Sequence, residues 1–173
     1  IDQKAIDRTL SVSPAEIIDL NQLNKGTIGN VSTDRLITGI GEVDRVLGGG
    51  ILPGSLILLA GEPGVGKSTI VVQIADAIAR HQADALIFYI SGEESAGQIK
   101  TRLNRLKINL AKIKFVSETN LEKIIAALNQ FKPKLTIIDS IQTVYSSSIP
   151  SEAGSLNQIR AAAVKFLETA KLH

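Results

Sequence analysis

The residues Gly61, Glu62, Pro63, Gly64, Val65, Gly66, Lys67, Ser68 and Thr69 form the pattern G-x-x-x-x-G-K-[ST]. Its chemistry is phosphate binding. Glycines let successive backbone N–H groups curl around a phosphate without Cβ clashes, and a helix starting at Lys67 adds the partial positive charge of its N-terminus. In that setting Lys67 reaches the β- and γ-phosphates of a nucleoside triphosphate, and the Ser68 hydroxyl binds Mg²⁺. A glycine turn that only joined a strand to a helix would not need Lys and Ser in those places. A metal-side carboxylate is expected at the end of another buried strand, and Asp139 closes the apolar run 135–138. An Asp in that position is also ordinary turn chemistry. The apolar run 86–90 leads into Ser91, Gly92, Glu93 and Glu94. Glu93 is the expected base that orients or deprotonates water at the γ-phosphate, with Glu94 in reserve. Both acids could instead complement the dipole of the helix that follows. No Asn-Lys-x-Asp guanine signature lies downstream of the phosphate loop, so ATP is the expected nucleotide.

These groups need a scaffold that delivers them to one edge. Four short runs, 56–60, 86–90, 113–116 and 135–138, are nearly continuous in Val, Ile, Leu and Phe, as strands covered on both faces should be. Helical patterns separate them. Residues 42–47 form a short amphipathic stretch bracketed by glycines and stopped by Gly48, Gly49 and Gly50. Residues 67–80 are apolar almost all round, which predicts a deeply packed helix. Ile99, Leu103, Leu106 and Leu110 make one apolar stripe, and Leu121, Ile124, Ile125 and Leu128 make another after a capping-box spacing at Thr119 to Glu122. A last helix is expected from Ser155, with Leu156, Ile159, Ala163, Phe166 and Ala170 on its inner side. Strands alternating with helices imply right-handed crossovers and a mostly parallel sheet flanked by helices, an α/β fold of the P-loop NTPase type. In such a sheet all strand C-termini open onto one edge, which puts Glu93 and Asp139 on the nucleotide side.

Residues 1–33 are polar and irregular and read as an N-terminal appendage or linker, with one helix-start signal at Ser13-Pro14-Ala15-Glu16. Residues 34–173 read as the core. Composition narrows the chemistry. The 173 residues contain no cysteine and two histidines, which excludes a disulfide framework, a thiolate zinc site and a cysteine nucleophile. Nineteen Lys plus Arg against seventeen Asp plus Glu leave the chain near neutrality. With 44% apolar residues a sizeable core is expected. No apolar run approaches the roughly 20 residues of a membrane span and no signal core opens the chain, so a cytoplasmic protein is expected. A chain starting at Ile1 rather than Met reads as an excised or processed piece.

Five segments in order carry a more specific resemblance: residues 35–50 (RLITGIGEVDRVLGGG), the loop 61–69, residues 89–95 (YISGEES), 138–143 (IDSIQT) and 154–160 (GSLNQIR). Together they resemble the ATPase core of the RadA (Sms) family of bacterial DNA repair proteins, within the RecA superfamily, over about residues 35–171. The resemblance implies a RecA-like ATPase that assembles into a ring, moves on single-stranded DNA and drives branch migration of recombination intermediates alongside the RecA recombinase. It places phosphate and Mg²⁺ on Lys67 and Ser68, the metal on Asp139 and the base on Glu93. It makes Gln142 a candidate polar sensor, and the loop 146–155 corresponds to a region that faces a central DNA channel in RecA-like proteins. This chain lacks the four-cysteine module with which family members begin. It also stops before the Lys-Asn-Arg-Phe-Gly motif and the Lon-like domain, and Ala153 stands where relatives often have Pro. The expected core is therefore C-terminally truncated, with one sheet edge uncovered.

Apart from the resemblance, the DNA signal is modest. Residues 95–117 contain no acid and carry Lys100, Arg102, Arg105, Lys107, Lys112 and Lys114, which suits backbone phosphates or simply a solvated helix face. Aromatic platforms are few, with two Tyr, four Phe and no Trp. The Ser-rich loop 145–154 has no Lys or Arg and reads as a channel lining or a plain flexible connection. Two alternatives to a DNA motor remain at this level: a signalling or timing ATPase similar to KaiC-like proteins, and a nucleotide-binding assembly module without turnover.

Overall fold

Three of the four apolar runs are strands. In the computed structural model, which describes residues 34–172, β1 (Ile87–Ile90), β2 (Ile113–Val116) and β3 (Leu135–Ile138) form a parallel sheet in the order β2-β1-β3. Ile87 lies beside Ile113 on one side and Leu135 on the other, and Ile90 beside Val116 and Ile138. The helix start expected at Ser13, and the appendage over residues 1–33, lie outside the described residues.

Alternation along β1 builds two cores. Ile87 and Tyr89 point to one face, where they pack with Val72, Ala75 and Ile78 of α2 (Lys67–His81) and Ile99 and Leu103 of α3 (Ala96–Arg105). Phe88 and Ile90 point to the other, against Ile124 and Leu128 of α4 (Leu121–Phe131) and Ala162 and Phe166 of α5 (Leu156–Leu172). Helices therefore cover both faces of the central strand, which is why β1 is apolar and buried at all four positions, whereas β2 turns Lys114 outward.

The fourth run departs from expectation. Residues 56–60 make no ladder among the described residues, and Leu56, Ile57, Leu58 and Leu59 are 46%, 50%, 78% and 46% exposed. A strand needs neighbouring N–H and C=O groups as well as apolar side chains. Among the described residues only β1 is paired on both sides; β2 and β3 each pair with β1. Among the described residues, 56–60 are not hydrogen-bonded to either β2 or β3.

Two helices differ in which side they bury. α2 is packed along Val72, Ala75, Asp76, Ile78 and Ala79, but Ile70 is exposed, so it is buried on one broad face rather than all round. Along α5 the buried line is Gln158, Ala162, Phe166 and Thr169, rotated from the expected apolar stripe, and Leu156 is exposed. α4 is capped by the Asn120 side chain, which accepts the Lys123 N–H, rather than by Thr119.

Residues 35–51 form a tied ring. α1 (Gly41–Val46) is the expected short helix. Its Asp44 carboxylate accepts hydrogen bonds from the Thr38 N–H (2.9 Å), the Thr38 hydroxyl (2.8 Å) and the Gly39 N–H (3.0 Å). The Arg35 guanidinium donates to the Leu47 and Gly50 carbonyls, both at 2.9 Å, and Leu36 bridges to Ile51. Gly50 has φ +120°, and a Cβ there would lie 2.8 Å from the Leu36 carbonyl oxygen, so only glycine fits. The hydrogen bonds from Thr38, chiefly its backbone N–H, hold the Asp44 carboxyl below its ordinary range. A carboxyl with a lowered folded-state pKa stabilises the fold above its unfolded pKa of about 3.9, and this is lost as pH falls through the folded value. Melting temperature is therefore expected to fall on the acid side of about pH 4, with a shallower acid limb in Asp44→Asn. An Asp44→Asn limb as steep as the parent's would refute that contribution.

Candidate functional site

The direction of α2 decides where the phosphate loop lies. Lys112, immediately before β2, donates its ammonium to the Ala79 and Gln82 carbonyls at the end of α2, both at 2.7 Å. The C-terminus of α2 is thereby fixed at the edge where the strands begin. Because α2 packs along the sheet for 15 residues, about 22 Å, its N-terminus opens at the edge where the strands end. Lys67 and Ser68 thus share an edge with the residues that follow β1 and β3.

At that N-terminus Gly66 is the cap residue, with φ +101°, and Gly64 has φ +80°. Both lie in the left-handed region that glycine adopts without strain. Gly64, Gly66, Lys67, Ser68 and Thr69 line an open cleft of about 230 Å³. The first turn of a helix leaves N–H groups without intrahelical partners, so the cleft is floored by donors. Lys67 spans the loop, its ammonium donating to the Gly61 and Glu62 carbonyls at 2.8 Å each. Glu62, Pro63 and Val65 are exposed around the rim.

The two acids after β1 have different surroundings. Both precede Ser95, the N-cap of α3, whose capping box with Gln98 leaves no acid in that helix's first turn. The Ser91 hydroxyl accepts the Glu93 and Glu94 N–H groups, each at 3.3 Å. Glu93 is exposed, and its Oε1 accepts a 2.7 Å hydrogen bond from the Ser140 hydroxyl, just past β3. Glu94 is held in a 2.8 Å ion pair with Arg102 of α3. Gly92 is required between them and the sheet: a Cβ there would lie 2.1 Å from Thr119 Cγ2 and 2.9 Å from Thr143 Oγ1.

Asp139 continues the β3 ladder by donating its N–H to the Ile90 carbonyl at 2.9 Å, which places it beside Ser91. Its Oδ2 accepts a hydrogen bond from the Tyr89 hydroxyl, and Arg102 Nη2 donates to that same hydroxyl at 2.8 Å. Arg102 also lies 3.8 Å from Asp139 Oδ2 and over the Tyr89 ring, 5.8 Å from its centroid. Burial, followed by the hydrogen bond to Asp139, pushes the Tyr89 phenol well above its ordinary range, so it is a donor at neutral pH. Sequence reasoning gave Tyr89 and Ser140 no role and placed Arg102 in the basic run rather than beside Asp139. The signal was available for Tyr89, since a tyrosine inside a buried strand needs a partner for its hydroxyl.

The parallel ends of β1 and β3 bring Glu93, Glu94 and Asp139 to one edge, and the direction of α2 turns Lys67 and Ser68 toward that edge. Gln142 is also there, exposed in the 3₁₀ turn Ile141–Thr143 after Asp139. Ser68 and Asp139 offer the hard oxygen donors that Mg²⁺ prefers, and no cluster of three or more His, Cys, Asp or Glu side chains suited to a metal occurs among the described residues. A site of this kind fits an ion held jointly by protein and phosphate rather than one caged by protein alone.

The loop after β3 is tied to α5 rather than a free connection. Gln158, 1% exposed, accepts the Ser146 N–H at 2.8 Å and donates to the Ser146, Ile149 and Ser151 carbonyls at 3.2, 3.1 and 2.9 Å. The buried Ser146 hydroxyl donates to Glu122, which leaves Ser147 and Ser148 exposed. The basic run is also smaller than its sequence count. Arg102 and Lys112 are committed to the contacts above, and Lys100, Arg105, Lys107 and Lys114 are exposed. Among the described residues no helix is long and apolar enough to cross a membrane.

The AAA domain family matches residues 23–173. The chain is 44% identical over 137 residues to the DNA repair protein RadA of Bacillus subtilis, which covers 79% of this chain and 30% of that protein. It is 44% identical over 138 residues to RadA of Aquifex aeolicus, covering 80% and 30%, and 41% identical over 153 residues to RadA of Pseudomonas aeruginosa, covering 87% and 33%. The chain thus spans about 30% of the length of these relatives. Among solved structures, the KaiC-like protein of Pyrococcus horikoshii is similar, with a TM-score of 0.63 and 22% identity over 80% of this chain and 69% of that one. At that identity the likeness bears on the fold, which is the RecA-like P-loop core.

Proposed function

Because this chain belongs to the AAA domain family and has a RecA-like core, we propose that it is an ATPase that works in DNA repair, hydrolysing ATP by in-line attack of water on the γ-phosphate. One observation carries the reading: α2 runs so that the phosphate loop at its start opens toward the sheet edge where exposed Glu93 and Asp139 follow β1 and β3.

In this reading the N–H groups from Gly61 to Thr69 cradle the phosphates, with Lys67 swinging from the Gly61 and Glu62 carbonyls to the β- and γ-oxygens. The Ser68 hydroxyl and the Asp139 carboxylate are the groups that would hold Mg²⁺, which would supply charge neutralisation at the phosphates. Glu93, oriented by Ser140, takes the proton of the attacking water. Glu94 is occupied by Arg102, which favours Glu93 of the pair. Gln142, next along the edge, is assigned to sensing the γ-phosphate.

The finer biology rests on the RadA relatives, each named a DNA repair protein. By that likeness the protein moves on single-stranded DNA, drives branch migration of recombination intermediates alongside a RecA-type recombinase and assembles into a ring in the cytoplasm. Residues 34–173 form the motor core and residues 1–33 an appendage. The test is ATP hydrolysis by the purified chain with and without single-stranded DNA, with Lys67→Ala as the blank. Turnover above the blank that rises with DNA supports the motor. DNA-independent turnover would favour a KaiC-like signalling ATPase, and ATP binding without turnover would favour an assembly module.

A further inference from the structure

Tyr89, Arg102, Glu94 and Asp139 form a polar cluster between β1, α3 and β3, and the mechanism above assigns chemistry only to Asp139 from it. Tyr89 is 1% exposed and sits in the central strand. The β1–β3 register pairs Tyr89 with Ile137, so Asp139 lies one pleat further toward the edge on the same face. That geometry lets the phenol hydroxyl reach Asp139 Oδ2. The guanidinium of Arg102 then satisfies the other side of the phenol oxygen and the carboxylate of Glu94 with the same nitrogen.

An aspartate at a strand end has two free side-chain torsions, and either oxygen could face the metal. Here Oδ2 is engaged by the Tyr89 hydroxyl, so a metal met by this carboxylate would be met through Oδ1. We propose that Tyr89 and Arg102 are positioning residues for the metal carboxylate: Tyr89 fixes the rotamer of Asp139, and Arg102 locks Tyr89 in place while holding Glu94 away from the water-activating position. This rests on the reading of Asp139 as the Mg²⁺-side carboxylate. Groups that orient metal-bound ligands from behind typically contribute 10- to 100-fold to metal affinity, which sets the size of the expected effect.

Tyr89→Phe deletes only the hydroxyl and keeps the ring packed, so it separates positioning from core packing. The measurement is binding of the non-hydrolysable analogue AMP-PNP to the 173-residue chain by calorimetry, in EDTA and across a Mg²⁺ series. Tyr89→Phe is expected to raise the Mg²⁺ concentration for half-maximal enhancement about tenfold, while affinity in EDTA stays within twofold of the parent. Hydrolysis, where present, should lose kcat with KM for ATP nearly unchanged. Arg102→Lys, which keeps the charge but cannot bridge the same groups, is expected to shift the Mg²⁺ midpoint in the same direction by less. A Tyr89→Phe protein with the parent's Mg²⁺ midpoint, whatever its melting temperature, would show that the hydroxyl only satisfies the core and would overturn the proposal. Failure of the underlying reading looks different: the parent chain itself would bind AMP-PNP equally well with and without Mg²⁺, or Asp139→Asn would leave its Mg²⁺ midpoint unmoved, and the positioning role would fall with it.

Discussion

Glu93→Gln is expected to lower ATP turnover about 10³-fold, within the range typical of a lost general base, while ATP affinity stays within about twofold. The isosteric amide keeps the acceptor for the Ser140 hydroxyl, so the local geometry survives and only proton acceptance is removed. Glu94→Gln is the informative companion. Its carboxylate is already bound to Arg102 at 2.8 Å, and it is only partly exposed, so water has poor access to a free lone pair there. A loss of less than about tenfold is expected for Glu94→Gln, consistent with a disturbed neighbour rather than a missing base. Steady-state hydrolysis with calorimetric ATP binding on both variants decides between them. A larger loss in Glu94→Gln would exchange the roles, and full turnover in Glu93→Gln would remove the assignment altogether.

The second large effect lies away from the phosphate loop. Gln158→Leu is expected to destabilise the fold by about 3 kcal/mol and to lower its melting temperature by roughly 10 °C. One buried side chain answers four backbone groups of residues 146–151, and leucine answers none of them. The Ser146 N–H and carbonyl are the costly ones, because their bonds are buried and water cannot replace the amide. Gln158→Glu keeps an acceptor for the Ser146 N–H but loses the donors to three carbonyls, so it should fall between parent and leucine. Thermal melts combined with limited proteolysis should show cleavage between residues 146 and 155 appearing first in the leucine variant. A Gln158→Leu protein that melts with the parent and resists the protease would mean the loop is held by Asn120, Glu122 and its own turns instead.

Much of the site was legible because its chemistry is local in sequence. Phosphate binding needs consecutive N–H groups, two glycines able to take positive φ, a lysine and a hydroxyl, all within nine residues, so residues 61–69 declare themselves. Asp139 and the Glu93–Glu94 pair were readable by a second rule, that the C-terminal ends of parallel strands meet at one edge. The strands 113–116 and 135–138 fell where the apolar runs put them, since Ile113 and Ile137 pack into the core beside β1.

What the sequence left open depended on partners far along the chain. Whether 56–60 is a strand is not a property of Leu-Ile-Leu-Leu-Ala: hydrogen bonds to a neighbour decide it, and among the described residues none is supplied. The buried side of α5 was set by the loop carbonyls that draw Gln158 inward, which a count of apolar spacing cannot see. Two adjacent glutamates are chemically identical in a sequence. They become different only in three dimensions, where Arg102 takes one and Ser140 orients the other. The sequence by itself determined that this protein carries a nucleotide-phosphate loop on a parallel α/β core. The tertiary structure alone decided which carboxylate stays open at the edge and which oxygen of Asp139 is held, because a side chain's partners come from strands and helices brought together by burial rather than by order in the chain.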